Sequence, residues 1–93
     1  MFLFLIDKFV LKHQGHCAAG WTDPNTNQDN LEQCFMECES RHNIGYFAFN
    51  SKTGGCSCYS IADGCPDDDL YNDYNTYRII QSNFQIASVV YFW

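Results

Sequence analysis

Positive charge is scarce in this sequence. Five Lys and Arg stand against eleven Asp and Glu, a net charge of −6, and the five bases form no cluster. Nucleic acid, heparin and anionic lipid surfaces are therefore poor partners on electrostatic grounds. Long apolar runs are missing too. The opening Met1–Ile6 stops at Asp7, and no stretch approaches the roughly 18–20 residues that a bilayer span requires. With no basic residue before it and only six apolar residues, that opening is too short for a signal-peptide core. The chain is accordingly read as a mature piece or a domain, any leader lying outside it. N-x-[ST] sequons are absent, so nothing marks N-glycosylation. The C-x2-C pairs of common zinc sites are absent as well. The length of 93 residues suits one domain, here taken as 1–93.

What the chain does have is six cysteines and many aromatics: eight Phe, six Tyr and two Trp. A domain of this size buries a modest core and relies on extra fastening. An even cysteine count in a small acidic chain favours an oxidising compartment and three disulfides.

Hydrophobic periodicity orders the elements. Residues 8–13 form a first strand. Residues 20–30 read as a polar loop, with Asp23-Pro24-Asn25 as a turn signal. A helix follows, because Asp29 and Asn30 are good caps and Leu31, Cys34, Phe35 and Cys38 fall at i, i+3, i+4 and i+7. It should end near residues 40–42. The aromatic run at 44–50 is a strand, 51–55 a hairpin loop, 56–60 the returning strand and 77–80 a further strand. Residues 61–75 make an acidic loop. The core is expected from Phe9, Leu11, Leu31, Phe35, Phe47 and Phe49.

The cysteines sit at matching intervals. Cys34 and Cys38 are one turn apart, about 6 Å along a helix. Cys56 and Cys58 share one face of a strand, about 6.6 Å apart. A helix lying on that strand can be stapled twice. The short link into the 44–50 strand makes it antiparallel to the helix, so the returning strand is parallel to it. First then joins first: Cys34 to Cys56 and Cys38 to Cys58, leaving Cys17 for Cys65. Six cysteines allow fifteen pairings, and the sequence alone does not choose among them. Each bridge should contribute roughly 2–4 kcal/mol.

These residues carry a resemblance. Leu31-x-x-Cys34-x-x-x-Cys38, then Gly45-Tyr46-Phe47-Ala48-Phe49-Asn50, then Gly55-Cys56-Ser57-Cys58-Tyr59, then Tyr77-Arg78-Ile79 resembles the PAN/apple superfamily over about residues 9–80. The resemblance implies an α+β fold, one disulfide-tied helix on a curved antiparallel sheet, and a module that binds proteins or carbohydrates. Many members carry a cysteine just before the aromatic strand, where this chain has Asn43-Ile44. The C-x3-C and C-x-C spacings are also similar to those of cysteine-stabilised αβ peptides such as defensins, which are typically shorter and basic.

No catalytic set emerges. His13, His16 and His42 are the only neutral-pH bases, no thiol is left if three disulfides form, and no serine sits in a nucleophile elbow. His13-Gln14-Gly15-His16-Cys17 reads as an exposed strand end beside a disulfide rather than a metal cluster. Asp63, Asp67, Asp68, Asp69 and Asp73 lack the EF-hand order, and Pro66-Asp67-Asp68-Asp69 reads as the start of a helical turn with acids at its N-terminus. No catalytic residue, metal or cofactor is expected. Tyr46, Tyr59, Tyr71, Tyr74, Tyr77 and Trp21 offer faces to a glycan or fill the core.

The two ends are the residual feature. Residues 1–8 and 82–93 are apolar terminal segments outside the 9–80 core. Phe2, Phe4, Phe84, Ile86, Val90, Phe92 and Trp93 are the candidates for assembly, by pairing with each other or by adding to a neighbour's sheet edge, which would give a homo-oligomer or a filament. The functional expectation is a secreted, extracellular, non-enzymatic binding or adhesion module taking a protein or glycan ligand. The contender is a self-assembling extracellular structural protein; a toxin-like peptide and an enzyme rank below.

Overall fold

A computed structural model describes residues 8–67, 70 and 72–80. In chain order these form β1 (Phe9–Gln14), β2 (Trp21–Asn27), α1 (Leu31–Glu39), β3 (Ile44–Phe49), β4 (Gly55–Ser60), a single 3-10 turn (Ile61–Asp63) and β5 (Asn75–Ile79). The five strands make one antiparallel sheet in the order β1-β5-β3-β4-β2, with the helix on one face. The fold is α+β with three disulfides.

The helix starts where its cap dictates. Asn30 is extended, and its side-chain oxygen accepts from the Gln33 backbone N–H at 2.9 Å, satisfying one orphan donor of the first turn. The 3.6-residue period buries Cys34, Phe35 and Cys38 on one stripe. Past Ser40, Asn43 at φ 62° swings the chain back into β3.

β3 is the middle strand and is covered on both faces. Its Phe47 and Phe49, with Cys56 and Cys58 of β4 and Ile79 of β5, pack under Cys34, Phe35 and Cys38. Its Tyr46 and Ala48, with Tyr59 of β4, point to the opposite face, where Cys17, Cys65 and Tyr74 meet them. The two clusters are the two sides of a period-two strand pattern. Around fully buried Phe47 the rings of Phe9, Phe35 and Tyr77 have centroids 5.2, 6.0 and 5.2 Å away. On β1, only Phe9 reaches this cluster, against Phe35 at 5.1 Å. Leu11 is not a core residue as expected; it is 62% exposed. The nine-residue helix lies over β3 and β4, and β1 is an edge strand with an irregularity between Leu11 and His13. At the near end of β1, Lys8 pairs with Glu32 at 2.8 Å, and the bond to that carboxylate, followed by its charge, raises the Lys8 pKa.

Two further expectations change. The segment read as a polar loop is largely the edge strand β2, pairing Trp21 with Tyr59 and Thr22 with Cys58, then Thr26 with Cys56 and Asn27 with Gly55. Three residues of β2, 23–25, thus lie opposite one of β4, Ser57. Proline has no N–H for the ladder, so Asp23-Pro24-Asn25, with its cis Asp23–Pro24 bond, is extruded as a bulge within the strand. In the acidic segment the helical turn precedes Cys65, at Ile61–Asp63, instead of starting at Pro66. Asp67 is extended there, bridging Cys17, and Ala18 N–H donates to the Pro66 carbonyl at 2.7 Å. Asp68 and Asp69 lie outside the described residues.

Ile80 N–H donates to the Lys8 carbonyl at 2.9 Å. The described chain therefore begins and ends at one corner of the β1–β5 pair. The assembly candidates Phe2, Phe4, Phe84, Ile86, Val90, Phe92 and Trp93 lie outside the described residues.

Candidate binding groove

The disulfides decide which residues can be chemically active. Cys34 joins Cys56, Cys38 joins Cys58 and Cys17 joins Cys65, with Cα separations of 5.6, 5.3 and 4.5 Å. The first two are the in-register staples that a helix parallel to β4 permits. The sulfurs of Cys34, Cys38 and Cys56 lie within 4.8 Å of one another, the one convergence of three metal-type donors among the described residues. All three are oxidised, and a disulfide sulfur is not the thiolate that a soft metal binds. Asp63, Asp67 and Asp73 do not converge in threes.

The face opposite the helix carries a groove of about 540 Å³, within the size range of small-ligand sites. Trp21 and Asn25 come from the two limbs of the β2 bulge, Ser57 and Tyr59 from the outward positions of β4, and His16 and Ala18 from the loop fastened by the Cys17–Cys65 bridge. The bulge creates the site. It lifts Asn25 so that its side-chain carbonyl accepts from the Trp21 indole N–H at 2.6 Å. That bond fixes an indole that is 52% exposed. Tyr59 forms the floor, 2% exposed. The His16 ring stands edge-on to Tyr74 at 4.2 Å.

The aromatic candidates separate sharply. Tyr77 stacks on Phe47 in the helix-side core. Tyr46 and Tyr74 pack against the cluster of Ala48, Tyr59, Cys17 and Cys65, and the Lys12 ammonium sits 5.8 Å from the Tyr46 ring centre. Trp21 alone of the described candidates offers a broad free face; Tyr71 lies outside the described residues. The β2 bulge hid the site from sequence reasoning. Asn25 reads as a turn residue, and its role as the indole's acceptor needs the fold.

His13 and His16 are not an exposed strand end as expected; both are half-buried. The His13 ring is wedged beside the third disulfide: Nε2 lies 3.2 Å from the Cys65 carbonyl oxygen and 3.5 Å from its Sγ, and Nδ1 lies 4.0 Å from an Asp67 carboxylate oxygen. A positive φ of 53° at Cys65 brings that sulfur to the ring. His42 is exposed on the far side of α1's end. A shallower concavity of about 350 Å³ lies along Gln28, Gln33 and exposed Met36. No helix among the described residues is long and apolar enough to cross a membrane. Scans against family models, curated proteins and solved structures find no match to this chain.

Proposed function

We propose that this chain is a secreted, non-enzymatic binding module of the PAN/apple type, and that its ligand is an uncharged carbohydrate held in the Trp21 groove. The observation that carries the reading is the fixed, half-exposed indole of Trp21 beside the Asn25 amide. A sugar ring presents an apolar C–H face and a rim of hydroxyls; an aromatic plane and neighbouring amide and hydroxyl groups complement the two. The net charge of −6 opposes an anionic glycan. Three disulfides fit an oxidising, extracellular setting. The stapled helix on an antiparallel sheet supports the PAN/apple-type reading, which rests on the cysteine and aromatic pattern of the sequence.

Capture on a panel of immobilised neutral oligosaccharides tests it. The intact protein should be retained on at least one, and Trp21→Ala should lose that retention while unfolding at the same denaturant concentration. Retention that survives Trp21→Ala, or none on any neutral sugar, rejects the carbohydrate reading.

Self-assembly is the second reading, favoured by one observation. Lys8 and Ile80, the two ends of the described chain, are hydrogen-bonded at one corner of the sheet, beside an edge of β1 that pairs with no other strand among the described residues. That edge presents exposed Leu11 and carries no proline, whereas the β2 edge is blunted by its bulge. Sedimentation of full-length and 82–93-deleted protein decides this: concentration-dependent polymers lost on deletion support assembly, and a monomer in both excludes it.

A further inference from the structure

We infer that Cys17–Cys65 is an exchangeable disulfide, opened by a low-molecular-weight thiol that attacks Cys17 from the groove while His13 receives Cys65 as the leaving thiolate. The inference is independent of which ligand the groove binds.

Three observations converge. The first is access. The four staple cysteines are 0–1% exposed beneath the helix, whereas Cys17 is 6% exposed and lines the groove. A thiolate must approach along the S–S axis on the side away from the leaving sulfur, and Cys17, though buried, is the one cysteine that lines the groove. The second is the leaving group. Cys65 Sγ lies 3.5 Å from His13 Nε2, and the same ring faces the Asp67 carboxylate at 4.0 Å. A histidine is the side chain that gains charge near neutral pH, and an imidazolium beside a sulfur stabilises its thiolate, which then departs faster. Among the described residues, Asp67 is the charged group that faces the ring from the loop, and the ladder partner on β5 is uncharged Thr76. The third is the backbone. Cys65 is a non-glycine residue at φ 53°, a conformation that L residues seldom adopt, and freeing its side chain releases a tether that helps to hold it there.

The chemistry balances. An incoming thiolate forms a bond to Cys17 Sγ as the Cys17–Cys65 bond breaks, and the electron pair leaves on Cys65 Sγ, 3.5 Å from His13 Nε2. A second thiol, or the other arm of a dithiol, then attacks the reagent-derived sulfur of the mixed disulfide; that S–S bond breaks, Cys17 Sγ leaves as the thiolate, and both cysteines are reduced while the reagent becomes a disulfide. Because Cys17 and Ala18 line the groove, the mixed disulfide places its thiol-derived group within it.

The experiment uses the intact oxidised protein treated with glutathione or dithiothreitol, quenched with an alkylating agent and mapped by peptide mass spectrometry. The staples serve as an internal clock. Cys17 should carry glutathione first, with Cys65 alkylated in the same molecules, about tenfold or more before label enters the four staple cysteines. His13→Gln should slow opening of Cys17–Cys65 by about tenfold without changing the staples, and Asp67→Asn should slow it less. Glutathione on Cys65 instead of Cys17, or staples that open together with the third bridge in the unaltered protein, would overturn the inference. So would a folded His13→Gln protein that opens at the original rate.

Discussion

Removing the two helix staples one at a time and together should give energies that do not add. In the unfolded chain, Cys38–Cys58 alone closes a loop with a sequence separation of 20, and Cys34–Cys56 one of 22. Loop-closure entropy values either as a lone crosslink at about 3.3 kcal/mol. With the other staple intact, the remaining one closes only the short ring through residues 34–38 and 56–58, worth about 2.5 kcal/mol on the same relation. Cys38→Ala with Cys58→Ala should therefore cost about 2.5 kcal/mol, as should Cys34→Ala with Cys56→Ala. All four substitutions together should cost about 6 kcal/mol, more than the two losses summed. Lost packing of the buried sulfurs adds to each value but not to the sense of the coupling. A loss of about 6 kcal/mol approaches the whole stability of a small domain, so the fourfold variant should be largely unfolded at 37 °C. Urea unfolding followed by far-ultraviolet circular dichroism reads all three variants. If the fourfold variant were no less stable than either pair removed alone, the two bridges would not be constraining the same helix against β4.

Two substitutions probe local contacts on either side of that frame. Asn30→Ala should remove the Gln33 cap bond and cost about 1 kcal/mol, visible as a lower urea midpoint with an unchanged slope, while Asn30→Asp should restore most of it. Gly45→Ala would place its methyl 2.7 Å from the Ile61 Cβ, so it should destabilise by about 1–3 kcal/mol, and Ile61→Gly in the same chain should recover part of the loss.

The helix and its staples were legible in the sequence because short-range rules govern them. An asparagine cap, a 3.6-residue stripe and a C-x-C strand face specify one another within residues 30–58. β2 was hidden because Asp23, Pro24 and Asn25 carry turn chemistry, and only the partner β4 reveals that the turn is a bulge between paired segments. Leu11 was misplaced because alternation says which face a residue occupies, not whether a nine-residue helix reaches that far across the sheet. The His13–Cys65 contact spans 52 positions and depends on the left-handed turn at Cys65. No local pattern encodes it. The groove likewise assembles side chains from the bulge, β4 and the disulfide-fastened loop.

The binding reading is tested most directly by two-dimensional NMR of isotope-labelled full-length protein titrated with the oligosaccharide that it captures. The account predicts dose-dependent shifts at the Trp21 indole N–H, the Asn25 side-chain amide and the backbone N–H groups of His16 and Ala18, with the helix resonances unmoved. Shifts confined to Leu11 and Lys12 on the β1 edge, or an indole signal unchanged at saturating sugar, would contradict it.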